Sequence, residues 1–170
     1  MEPVLKKAIE QFPAILERNA PAMMKRMIGR MKAQLEQIGH ASNVSHGLLF
    51  LRVAEEDLVR EFQAATMSTF VKNEPSQFGG LSLEPEGGRP QFPEFESSDA
   101  AFDTLCAQAA RLRVFGVERY GKEAFLAAMG EAFVRSRMDA RATAELMPYA
   151  KSALDAELQA MYTKLIEIAK

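Results

Sequence analysis

His40 and His46 are the two histidines of the chain, six residues apart in the run Gly-His-Ala-Ser-Asn-Val-Ser-His. Imidazole is the side chain best suited to hold a transition metal or to move a proton near neutral pH. A metal site on helices needs further ligands at i, i+3 or i, i+4 spacing, with carboxylates among them. Neither H-E-x-x-H nor E-x-x-H occurs, and the small polar residues around both histidines read as a solvated loop. No metal and no cofactor are expected.

Ser45-His46-Gly47-Leu48 resembles the phosphotransfer histidine of a helical hairpin, but Gly47 stands where such a histidine is commonly followed by an acid. Glu55, Glu56 and Asp57 form an acidic triplet with Arg52, Arg60 and Glu61 close by. Adjacent helical residues point in different directions, so the triplet suits a solvated, salt-bridged face better than paired acid–base work. Glu56 and Arg60 have the favourable i, i+4 order. The phosphate-loop, dinucleotide and nucleophile-elbow patterns are absent. A helical enzyme with a site near His40 and His46 remains an alternative reading, because sites assemble in space rather than in sequence.

Arginines supply the other candidate chemistry. Arg111, Arg113 and Arg119 form one cluster, and Arg135, Arg137 and Arg141 another. Guanidinium forks suit phosphates, so nucleic-acid or anionic-ligand binding is the second alternative. Glu118, Glu123, Glu131 and Asp139 weaken that field, and residues 122–146 have helix–turn–helix length without its tight turn. Residues 23–32 are basic and amphipathic, as a calmodulin target or membrane-surface helix would be. Their apolar stripe continues past the basic residues, which favours a bundle helix. The single cysteine, Cys106, lies among Ala and Leu at helical spacing and reads as a buried thiol.

The elements that carry these residues are helical. Apolar residues come mainly from Ala, Leu, Met and Phe, and the first three favour helix. Val4 to Leu16 recur at three- and four-residue steps, with Pro13 expected to break or restart the helix. Asn19-Ala20-Pro21 reads as a new helix start. Met24, Ile28, Met31, Leu35 and Ile38 then follow at steps of 4, 3, 4 and 3, a narrow coiled-coil-like seam that Gly39 should end. A helix from Gly47 to about Lys72 should fold back as an antiparallel hairpin. Leu48–Val53 could form a buried strand, but helix is preferred. Ser98-Asp99 reads as the cap of a helix carrying Phe102, Leu105, Cys106, Ala109, Leu112 and Phe115 on one face. A helix after Gly121 should end near Arg135 and Arg137, and Asp139 should cap the next, with a kink or restart at Pro148. Leu154, Leu158, Met161, Leu165 and Ile168 repeat the 4, 3, 4, 3 seam.

Between the halves, residues 73–98 hold four of the eight prolines and two Gly-Gly pairs. No helix persists through such a run. Residues 74–103 carry seven acids against one arginine, whereas the flanking parts each carry ten basic residues against eight acids. Phe78, Phe92 and Phe95 are scattered along it, which suggests a strap on the helical body or a docking peptide.

The expected fold is therefore all-α, a bundle of about five to seven helices with a long acidic connection. The organisation expected is a helical hairpin region at 1–72, the acidic segment at 73–98 and a second helical region at 99–170, a division in sequence that leaves one spatial unit open. The leading functional expectation is a non-enzymatic interaction, regulatory or adaptor protein. Its partner would be another protein, a second copy included, and the two seams would either pair with each other within the chain or build a homodimer. The Met1-Glu2-Pro3 start shows no charged region followed by an apolar core, and no apolar run reaches membrane-span length. The chain is expected to be cytoplasmic.

Overall fold

The helix formers dominate locally, and the chain follows them. The computed structural model describes residues 2–38, 46–71 and 95–168. These residues form five α-helices and no strand: α1 (Glu2–Ile38), α2 (His46–Thr66), α3 (Glu96–Arg111), α4 (Lys122–Arg135) and α5 (Ala140–Ile168). One π-helical turn, Met67–Val71, extends α2, and a 3-10 turn, Val117–Tyr120, precedes α4. The fold is an all-α bundle, and Leu48–Val53 is helix. No helix among the described residues is long and apolar enough to cross a membrane.

The breaks expected at Pro13 and Pro21 do not occur, and α5 runs through Pro148 without a restart. Pro13 and Pro21 both lie inside α1, and Pro148 lies inside α5. A helical proline removes the N–H that would bond the carbonyl four residues back, and a buried carbonyl must then find another donor. For Pro13 that carbonyl is Ile9, which accepts the Tyr120 hydroxyl at 3.2 Å. For Pro21 it is Glu17, whose carbonyl accepts the Gln63 side-chain amide at 3.3 Å. For Pro148 it is Ala144, on an exposed turn where solvent is available. The two prolines of α1 persist because neighbouring elements supply what the helix lacks.

The direction of packing follows from polar contacts. Arg52 pairs with Glu36 at 3.1 Å, Lys32 with Glu55 at 3.1 Å, and Gln63 with Glu17, so α1 and α2 run antiparallel, as the short connection implied. α5 also packs on α1, joined by Arg26 and Glu157. α3 runs alongside α5 in the same direction, with Ser98 near Asp155 and Phe102 against Tyr162. α4 packs on α2. Buried residues of 1–71 and 95–168 share one core, in which Phe70 stacks on Tyr120 and meets Phe125 at 4.9 Å between centroids.

The helix ends refine the sequence reading. α3 starts at Glu96, earlier than Ser98-Asp99 suggested. Its start is held from outside: the Ser98 amide donates to an Asp155 carboxylate oxygen of α5 at 2.9 Å. Asp99 instead pairs with Lys122 at 2.8 Å. Asp139 does cap α5, accepting from the Ala142 amide at 2.7 Å. α3 ends at Arg111 rather than Gly116, so Phe115 falls on the following loop and is 84 % exposed. Residues 39–45 and 72–94 lie outside the described residues, and with them His40, Phe78 and Phe92, as do the side chains of His46 and Ile38.

Candidate interaction groove

The seams are spent inside the chain. Met24, Ile28, Met31 and Leu35 are buried, as are Leu154, Leu158 and Leu165. Met23 and Met27 are buried beside them. The narrow stripe read from α1 is therefore a wide one, because α2 and α5 both cover this helix. Both seams are covered within the chain, which is the intrachain one of the two arrangements that their spacing allowed. Met161 is only half-buried, and Ile168 is 38 % exposed.

Those two exceptions line a groove. Where the first half of α1 meets the last half of α5, a cavity of about 270 Å³ opens to the surface. Ala8, Phe12, Ile15 and Leu16 form one wall, and Met161, Leu165 and Ile168 the other. Ile15 is 37 % exposed at its mouth. Each helix contributes one short side chain to the lining, Ala8 on α1 and Ala160 on α5. At its inner end Arg26 grips Glu157 through two bonds of 2.9 Å each. Glu157 is buried, whereas Arg26 is half-exposed and screens the carboxylate from the mouth. The bond to Glu157 raises the Arg26 pKa, against the opposing effect of burial. About one turn further along the same two helices, a second cavity of about 300 Å³ lies between Arg30, Ala33 and Gln34 of α1 and Ser152, Ala153 and Ala156 of α5.

Among the described residues, the other sequence candidates do not converge on a site. Arg111 and Arg113 sit at the end of α3, beside the C-terminal half of α5, whereas Arg135, Arg137 and Arg141 surround the junction into its N-terminus. The ends of a helix the length of α5 are separated by about 40 Å. Each group has a structural account. The Val114 amide bonds the Ala109 carbonyl and the Arg113 amide the Ala110 carbonyl; Met138 and Arg137 repeat this with Phe133 and Val134. Both helices thus end in Schellman motifs, with Arg113 (φ 56°) and Arg137 (φ 61°) at the left-handed position usually taken by Gly. Arg135 also pairs with Glu131 at 2.9 Å.

Phe95, read as a docking residue, is buried beneath the start of α3, with the Lys122 ammonium 5.4 Å from its ring centre. Glu55 reaches Lys32 on α1, while Arg60 pairs with Asp57 at 2.7 Å rather than with Glu56. The triplet is a split, solvated face. Gly47 carries no catalytic signal: a Cβ there would come within 2.8 Å of Leu146, so the glycine permits close approach of α2 to α5. Its amide donates to Glu145 at 3.3 Å. Cys106 is half-buried rather than fully buried, and burial, then Asp103 and Glu118, raise its pKa away from the reactive thiolate. No group of three metal-ligating side chains occurs among the described residues.

The groove was not read from the sequence. Its signal was Ile15 together with Ala8 and Ala160, apolar and small residues just outside the regular seams. Comparison with family models, with curated proteins and with solved structures gives no match.

Proposed function

We propose that the protein is a non-enzymatic interaction module that takes a helical segment of a protein partner in the α1/α5 groove. The observation that carries this reading is the open apolar groove between two long antiparallel helices, with Ile15 and Ile168 exposed at its mouth. A groove of this kind accepts the apolar face of an amphipathic helix, whose side chains at i, i+3, i+4 and i+7 follow the cleft. The small residues Ala33, Ala153 and Ala156 in the second cavity let a third helix come close. The alternative of anion binding through the arginines has less support, since the two groups lie toward opposite ends of α5 and each belongs to a helix terminus.

The test uses a fluorescent model helix with a Leu/Ala face and a Gln polar face, titrated with the full-length protein. Saturable binding is expected, weakened at least about tenfold by Ile15→Asp, a change worth about 1.4 kcal/mol. Ile15 lies at the mouth, so the variant should keep its helical circular dichroism. Absence of binding, or equal binding by a folded Ile15→Asp variant, overturns the reading.

A further inference from the structure

We infer that the segment seated in the α1/α5 groove is an acidic amphipathic helix of a protein partner. This rests on the groove reading above and adds the chemistry of the occupant. Arg26, Arg30 and Lys164 line the two cavities. Glu157 is the one acid lining them, and it is already held by Arg26. The exposed ridge of α1 beside the groove carries Lys7, Gln11, Ala14, Arg18, Ala22 and Lys25, with Glu10 the acid next to it. Lys25 also faces Glu55 and Glu56 of α2. Glu167, in the last turn of α5, is the acidic exception near the far rim. The chain as a whole carries a net charge of −2, so this groove opposes the overall sign.

The charge arrangement selects among occupants. A second copy docked groove to groove would add a second basic α1 ridge beside the first, and like charges across an interface disfavour association. A helix with a basic polar face meets the same repulsion. An acidic polar face gains attraction along the α1 ridge while its apolar face fills the space between Ala8, Ile15 and Ala160. Ala8 and Ala33, at the far ends of the two cavities, lie about 38 Å apart along α1, the length of a helix of about 25 residues.

The experiment compares three model helices of that length with one Leu/Ala face and a polar face of Glu, Gln or Lys, each titrated with the full-length protein. The Glu-faced helix is expected to bind at least about tenfold more tightly than the Gln-faced one, with the Lys-faced one weakest, and to weaken as salt screens the rims. Arg30→Glu with Lys164→Glu, both at exposed positions, should invert the order. If all three bind equally, or the Lys-faced helix binds best, the acidic partner is wrong and the groove reading stands. If none binds, or a folded Ile15→Asp variant binds as well as the native protein, the groove reading fails and this inference with it. A dimer in sedimentation that Ile15→Asp dissociates assigns the groove to a second copy and overturns the inference.

Discussion

The hydroxyl of Tyr120 donates to the main-chain carbonyl of Ile9, the carbonyl that Pro13 deprives of its helical donor. Tyr120 also meets Phe12 edge to face, with ring centres 5.0 Å apart. The loop before α4 thus repairs a defect in α1. Tyr120→Phe keeps the ring and leaves the Ile9 carbonyl unpaired in a buried setting, so it should cost about 1–3 kcal/mol. Pro13→Ala restores an N–H to α1, and in that background the same change should cost about 1 kcal/mol less. Urea unfolding of the four proteins measures the coupling. Additive effects would show that the tyrosine does not act as the proline's substitute donor.

Arg113 and Arg137 should each be improved by glycine. Both are exposed and adopt the left-handed conformation, in which a Cβ is disfavoured. Glycine relieves that strain but loosens the unfolded chain, leaving a net gain of about 0.5–1 kcal/mol for each. The sites are remote from one another, so the two gains should add in thermal unfolding. A loss of stability at either position would indicate that the arginine side chain makes a contact worth more than the strain.

Gly47→Ala should go the other way. Alanine has the higher helix propensity, yet its Cβ would lie 2.8 Å from both Cγ and Cδ2 of Leu146. Moving Leu146, which is fully buried, disturbs the α2/α5 packing, and overpacking of this kind costs about 1–3 kcal/mol. A Leu146→Ala background gives the new methyl room, and there the substitution should be neutral or stabilising. A stabilising Gly47→Ala in the native background would contradict the close approach.

What was legible in the sequence was periodic, and what was not depended on distant partners. The spacing of Met24 to Leu35 and of Leu154 to Leu165 places long helices with buried faces, and they are there. It could not show that α1 passes through Pro13 and Pro21, because the compensating donors, Tyr120 and Gln63, are far away in the chain. Likewise the carboxylate at the start of α3 comes from Asp155, so the local Ser98-Asp99 signal misplaced that end. The arginine pairs are conspicuous as charges, but their left-handed backbone is set by helix termination and is invisible in residue type. The groove lies between α1 and α5 and is lined by residues of both, a property of packing rather than of either stripe.

Tyr162 couples the core to alkaline pH. Its hydroxyl donates to the Tyr120 carbonyl at 2.5 Å, and its pKa is pushed well above the ordinary tyrosine range, chiefly by burial and then by Glu123 and Asp99. Burial also raises the Tyr120 pKa. The native state therefore holds protons that the unfolded chain releases near pH 10. The stability this provides is present below about pH 10 and declines as pH rises above it, by up to about 1.4 kcal/mol per pH unit for each tyrosine. Tyr162→Phe should lower stability at pH 7 by about 1–2 kcal/mol and make the alkaline decline shallower. Melting curves from pH 7 to 11 test both. A parallel decline in the variant would mean that Tyr162 does not hold its proton in the native state.

Arg26 and Glu157 form the ion pair at the inner end of the groove, and their energetic roles are unequal. Glu157 is 7 % exposed and Arg26 55 %. Breaking such a pair leaves a buried carboxylate without its partner, which can cost 3–5 kcal/mol for a fully buried pair, whereas apolar replacement of both ends is often neutral. Solvent access at Arg26 discounts the first figure, so Arg26→Met should cost about 1–3 kcal/mol. Arg26→Met with Glu157→Leu should recover most of that loss, because the carboxylate that required a partner is gone. Denaturant unfolding of the two variants gives the comparison. If the double variant is as unstable as the single one, the pair contributes through its geometry, fixing α5 against α1, and not through the desolvation of Glu157.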